Sequence, residues 1–181
     1  MKKTMLWALG GALLLANCKT DTEDPFTIGP DRVGQLHREH TTGQLDSLFA
    51  TDSLVRDTTR LKLGQDGKVE VFEKGGKLLL TLSPASDTLH RIGNIRIHDA
   101  RYHTDQGISL LSTFGQIKAK YEIRKVITSL NNLVILLKGS DVYFTISRED
   151  LPASLRYSKG DIEPVQIPDS APVKYMMVGW D

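Results

Sequence analysis

Apolar residues recur along this chain with two different periods, and the change between them marks out its elements. Runs such as Val69-Glu-Val-Phe72 and Ile92-Gly-Asn-Ile95-Arg-Ile97 alternate apolar and polar positions, the pattern of a strand with one buried face. Leu133-Val-Ile-Leu-Leu137 and Val142-Tyr-Phe-Thr-Ile146 are more continuously apolar and bounded by Asn131-Asn132 and Gly139-Ser140, which reads as a hairpin. The strands expected in chain order are Phe26–Ile28, Ser53–Arg56, Val69–Glu73, Leu78–Leu82, Ile92–His98, Ile123–Thr128, Leu133–Leu137, Val142–Ile146, Pro164–Ile167 and Val173–Val178. Between Leu54 and Lys68 the turn signal Asp66-Gly67 predicts a long loop or an extra hairpin.

Two stretches have the helical period instead. Thr41-Thr-Gly-Gln-Leu-Asp-Ser-Leu-Phe49 and Thr113-Phe-Gly-Gln-Ile-Lys-Ala-Lys-Tyr121 share the form T-x-G-Q-[LI]-x-x-x-[FY]. Thr followed three residues later by Gln is a capping box, in which each side chain serves the other's backbone N–H. The apolar residue and the aromatic four positions on share one helix face. Helices are therefore expected over Thr42–Ala50 and Phe114–Glu122. Ser83-Pro84 predicts a short helical turn before Leu89, and Ser147 to Asp150 another before Leu155.

The helix motif is one of three echoes in the same order. Lys74-Gly-Gly-Lys-Leu-Leu-Leu-Thr-Leu-Ser83 returns as Lys138-Gly-Ser-Asp-Val-Tyr-Phe-Thr-Ile-Ser147, and Ile95-Arg-Ile97-His-Asp99 as Val165-Gln-Ile167-Pro-Asp169. Together they predict a tandem duplication of a helix-plus-strands unit of about 70 residues. The expected fold is α+β, an antiparallel sheet with two short helices on one face. Residues 26–98 form the first repeat and 99–181 the second, packed as one body.

The N-terminus changes the picture. Met1-Lys-Lys is a basic start, Met5 to Ala16 is apolar but too short for a comfortable membrane span, and the segment ends Leu15-Ala16-Asn17-Cys18. Cys18 is the only cysteine, so no intrachain disulfide exists. The segment resembles the signal peptide and lipobox of bacterial lipoproteins. That resemblance implies cleavage after residue 17, acylation of Cys18 and anchoring to a membrane. Residues 18–25 then read as an acidic tether; Asp21, Glu23 and Asp24 resemble the run that sends some lipoproteins to the cell surface. The expectation is an outer-membrane lipoprotein in which the acidic run is either this surface signal or a solvated spacer.

Charge excludes one class of partner. With 23 basic and 22 acidic residues the chain lacks the basic excess of a nucleic-acid binder. Catalytic signatures are missing too: no G-x-S-x-G, P-loop, G-x-G-x-x-G or H-E-x-x-H is present. No catalytic residue, cofactor or metal ion is predicted. The residues that come nearest to a site are His98, Asp99, Arg101, His103 and Asp105, with His37 and His40 in the corresponding loop of the first repeat. Their side chains suit divalent metals, so a metal-dependent or hydrolytic enzyme on the 98–105 loop is the alternative to a binding protein. Arg96, Arg101, Tyr102 and Tyr175 either line a ligand surface or, by alternation, belong to the solvent face of a half-buried sheet. Trp180 is expected to plug the core.

Gly107-Ile-x-x-x-Ser112-Thr-x-x-x-Ile117-x-x-x-Tyr121 resembles a motif of small envelope lipoproteins and of the β-lactamase-inhibitor-protein-like fold, whose members occur as tandem copies and bind other proteins. The resemblance implies a non-enzymatic lipoprotein that binds a protein or cell-envelope component, with a small-molecule-binding lipoprotein as a further alternative. It carries over no functional residue.

Overall fold

The computed structural model describes residues 24–57, 59, 67–86, 88–158 and 160–180. The signal segment, Cys18, Asp21, Glu23 and most of the 54–68 loop lie outside the described residues.

Eight antiparallel strands form the main sheet. They are β4 (Ser53–Arg56), β5 (Val69–Phe72), β6 (Leu78–Pro84), β7 (Ile92–Ile97), β9 (Ile123–Thr128), β10 (Asn132–Leu137), β11 (Val142–Ser147) and β12 (Tyr175–Gly179). Their order is β4-β5-β6-β7-β12-β11-β10-β9. Each half is thus a four-strand meander, and the two meet where β7 pairs with β12, Ile97 opposite Met176 and Ile95 opposite Val178. A smaller sheet contains β1 (Thr27–Gly29), β2 (Arg32–Val33), β3 (Leu36–His37) and β8 (His103–Thr104), with β1 and β8 parallel.

Each meander is preceded by its helix. Gln44 Oε1 accepts the Thr41 N–H at 2.9 Å, and Gln116 Oε1 accepts the Thr113 N–H at the same distance. Both predicted caps form, but the first helix is shorter than expected: a 3₁₀ turn over Thr42–Gln44 runs into α1 (Leu45–Leu48). The second, α2, spans Phe114–Lys120. Each cap is also tied to the approach of the last strand of its own half. Thr41 bridges to Arg91 just before β7, and Thr113 to Pro172 shortly before β12. The next N–H along repeats this: Thr42 donates to His90 O at 2.8 Å, Phe114 to Ala171 O at 2.9 Å. Leu45, Phe114 and Ile117 are fully buried, each contributing about 1.5–3 kcal/mol by removal from water.

The core lies on the face of the sheet toward the helices and the small sheet. Val71, Leu80, Ile97, Met176, Phe144 and Ile135 follow one another across six strands and are buried. Trp180 is 7% exposed and joins this core; its backbone N–H donates to Gly93 O, while its indole Nε1 is buried without a hydrogen-bond partner. The β5–β6 and β10–β11 turns both use left-handed glycine, with φ +92° at Gly76 and +66° at Gly139, conformations closed to most side chains.

Three expectations are corrected. Pro164–Ile167 is not a strand: Pro164–Gln166 is a 3₁₀ turn, with Pro at its first position lacking an N–H for a ladder. The third echo therefore fails, because the counterpart of β7 is β12, not 165–169. Ser83-Pro84 starts no helix; β6 continues to Pro84, which pairs with Ile92 across a register shift. The turn predicted before Leu155 does form, as a 3₁₀ turn capped by Ser147 followed by α3 (Ala153–Arg156).

Candidate binding face

The residues that the sequence groups before the second helix are dispersed by the fold. Asp99 continues the parity of Ile95 and Ile97, which turns it inward, and it is 1% exposed. Arg101 donates to it from Nε at 2.9 Å and from its own backbone N–H, and Lys77 Nζ reaches it at 2.9 Å. Burial pushes the Asp99 carboxyl up, but the hydrogen bonds from Arg101 and Lys77 outweigh it and hold the group well below the usual carboxylate range. Arg101 also forks onto Glu73, with two contacts of 2.9 Å, and lies over the Phe26 ring at 4.3 Å. The hydrogen bond from Arg101 draws Glu73 down as well.

His98 points to the opposite side of the strand, where Nε2 meets Thr81 Oγ1 at 2.9 Å. His103 holds Arg101 O through Nδ1, and Asp105 accepts from Tyr121 Oη at 3.1 Å. Desolvation leads the upward shift of the Tyr121 hydroxyl. His37 and His40 bond to each other's segment, His40 Nδ1 accepting the His37 N–H. Among the described residues no three His, Cys, Asp or Glu side chains are gathered as a metal would need. Of the four residues weighed as a ligand surface, Tyr102 is core, Arg101 is committed to Asp99 and Glu73, and Arg96 and Tyr175 come together elsewhere.

They meet on the second face of the main sheet. The described helices all pack on the core side, and the side chains of the other face are largely half-exposed. Register defines one row across all eight strands: Val55, Glu70, Thr81, Arg96, Met177, Tyr143, Leu136 and Lys125. From Glu70 to Arg96 the row is polar and from Met177 to Leu136 it is apolar, the change falling at the β7–β12 seam, with Val55 and Lys125 departing from this at the two outer strands. The neighbouring row runs Tyr175, Thr145, Val134 and Ile127, apolar except for the buried Thr145, with Ile127 42% exposed.

At the seam the groups are tied to one another. The Arg96 guanidinium lies 4.0 Å from the centre of the Tyr175 ring, while its Nε is buried without a hydrogen-bond acceptor. Asn94 Nδ2 donates to Tyr143 Oη at 2.6 Å. His98 beside them is pushed below its ordinary pKa by desolvation and by the Arg96 charge, with Glu70 opposing. The result is a fixed aromatic and aliphatic strip next to a polar strip. It offers broad contact area and oriented hydrogen-bonding groups, and on the same face the Thr81 hydroxyl lies 2.9 Å from His98 Nε2. Alternation in the sequence showed that strands had two faces; only the strand order put these particular residues side by side.

No helix among the described residues is long and apolar enough to cross a membrane. No protein-family model matches the chain, and no curated protein matches it. Among solved structures, the crystal structure of the uncharacterized protein yfeY from Escherichia coli aligns with a TM-score of 0.51 at 12% sequence identity, covering 86% of this chain and 99% of that one. The two share the α+β fold; at this identity the likeness extends to the fold alone.

Proposed function

We propose that this chain is a non-enzymatic envelope lipoprotein, anchored by acylation of Cys18, that binds a protein or another cell-envelope component through the uncovered face of its main sheet. The observation that carries the reading is the strip Met177, Tyr143, Leu136, Tyr175, Val134 and Ile127, half-exposed or exposed, on a face with no described element over it. Contiguous apolar surface of this kind marks interaction sites, and aromatic residues dominate interface energetics. The enzyme alternative on the 98–105 loop loses its support, since Asp99 is bound to Arg101 and Lys77 and His98 faces away.

The anchor rests on the sequence. Each buried CH₂ of an acyl chain contributes about 0.8 kcal/mol, so a multiply acylated cysteine holds firmly. The lipobox supports an outer-membrane location; the acidic tether is either a surface-export signal or a solvated spacer.

The test has two parts. A fatty-acid analogue fed to cells labels the wild type and not Cys18→Ser, which leaves the membrane fraction; an unlabelled wild type removes the anchor. A photo-crosslinking residue placed at Leu136 traps a discrete adduct in intact cells, and one placed at Arg124 or Leu111 does not. Equal adducts from all three positions, or none from Leu136, remove the binding face.

A further inference from the structure

A second feature lies at the end of the sheet where β9 turns into β10. A cavity of about 690 Å³ opens there, its lining including Arg148, Arg156, Lys174, Glu149, Tyr157 and Leu130. We propose that it is a binding site for a phosphate group carried on a larger, partly apolar molecule.

The argument begins with Arg148, which is 8% exposed. Its guanidinium donates to three backbone carbonyls, Ser129 O, Leu155 O and Ser158 O, at 3.2, 3.0 and 2.6 Å. Carbonyl dipoles satisfy its hydrogens but supply no counter-charge, and its Nε is buried with no acceptor at all. A buried charge normally keeps an opposite charge beside it, because desolvation is costly. Elsewhere in the body Arg38, Arg56, Lys77, Arg101, Lys118 and Lys138 each meet a carboxylate at 3.0 Å or less.

The two cations beside Arg148 are equally uncompensated. Arg156 spends only Nε, on Leu151 O, and leaves both terminal amino groups open. Lys174 Nζ bonds to the neutral amide of Asn132 and lies 5.4 Å from the Tyr175 ring. Three cations face one carboxylate in this cavity, in a chain whose formal net charge is only +1. Such local excess in a concave, partly low-dielectric site concentrates anions.

The chemistry of the walls narrows the anion. A phosphate monoester carries about 1.5 to 2 negative charges at neutral pH, which matches the excess of cations better than a single carboxylate does. The open fork of Arg156 suits two phosphate oxygens. Tyr157 and Leu130 are 89% and 87% exposed at the cavity's rim and offer apolar contact to whatever carries the phosphate. The carrier is either a lipid headgroup or a soluble phosphate ester.

The experiment uses the full chain with Cys18→Ser, titrated calorimetrically with glycerol phosphate and with a short-chain, water-soluble phosphatidate. Saturable binding is expected that weakens as salt is raised. The double variant Arg156→Gln/Lys174→Gln should bind at least tenfold more weakly; both residues are exposed and form no ion pair, so far-UV circular dichroism should not change. Saturation by the phosphatidate alone supports the site with a lipid source, and saturation by both probes supports it with a soluble source. Failure of both probes to saturate in the millimolar range, or unchanged affinity in the double variant, overturns the proposal.

Discussion

Arg96 and Tyr175 face each other across the seam between the two halves of the sheet, with the guanidinium 4.0 Å from the ring centre. The ring is the principal partner of a cation whose Nε has no hydrogen-bond acceptor. Removing it with Tyr175→Ala should cost about 1–2 kcal/mol, from the lost cation–π contact and lost burial. Tyr175→Phe keeps the ring and should be close to neutral. Chemical denaturation of both variants checks the difference, and equal losses would mean that the hydroxyl, not the ring, matters.

His98 should titrate below the ordinary histidine value of about 6.5. Its charged form is disfavoured by desolvation and by Arg96 and favoured by Glu70. Arg96→Gln should therefore raise its pKa, and Glu70→Gln should lower it further. Because the unfolded chain takes up this proton first, the group costs stability as pH falls below about 6.5 toward the folded pKa. Imidazole NMR titration of the three proteins reads this directly, and a shift of the opposite sign in either variant would contradict the assignment.

Asp99 gives a separate acid dependence. Its folded pKa is depressed, so its contribution is fully present above the unfolded value of about 3.9 and is lost as pH falls through the lower folded value. Asp99→Asn should cost about 3 kcal/mol at neutral pH, since it leaves Arg101 and Lys77 facing a neutral group. The difference from wild type should shrink as pH drops below about 4. Denaturation midpoints measured between pH 7 and pH 3 check it; a difference that stays constant would assign the effect to packing.

The two helix motifs carry glycine at the same place, Gly43 and Gly115, yet only one needs it. A Cβ on Gly115 would sit 2.9 Å from Asp169 Cβ and 3.1 Å from Asp169 O, whereas one on Gly43 would meet nothing closer than Thr41 Oγ1 at 3.9 Å. Gly115→Ala should therefore destabilise by about 1–3 kcal/mol despite the better helix propensity of alanine. Gly43→Ala should be neutral or stabilise by up to about 1 kcal/mol. Thermal unfolding of the pair tests this, and equal effects would show that the Asp169 segment yields.

Most of the architecture is legible because its signals are local. The caps at Thr41 and Thr113, the glycine turns and the alternating runs each depend on a few neighbouring residues, and β4 and β9 match their expected bounds. The misreadings are where local evidence is thin or tertiary context decides. Val165-Gln-Ile167 has the letters of a strand but opens with a proline that cannot join a ladder. The two-residue strands β2 and β3 are too short to have a period. Asp99 looked like a loop residue among histidines, although its parity with Ile95 and Ile97 already placed it on the buried side. The anion cavity had no sequence signal, since it joins Arg148, Arg156 and Lys174 through the return of the chain after β11.

The pairing of β7 with β12 carries a consequence for how the chain is made. The 77 residues from 98 to 174 separate the end of β7 from the start of β12. Chains emerge N-terminus first, so β4 to β7 can assemble while the inner edge of β7 still has no neighbour. During that interval the strand presents open backbone groups beside Ile95 and Ile97, a template for pairing with another copy. A newly made molecule is therefore most vulnerable to mispairing just before Tyr175–Gly179 arrives, and a holding chaperone would be most useful during that interval.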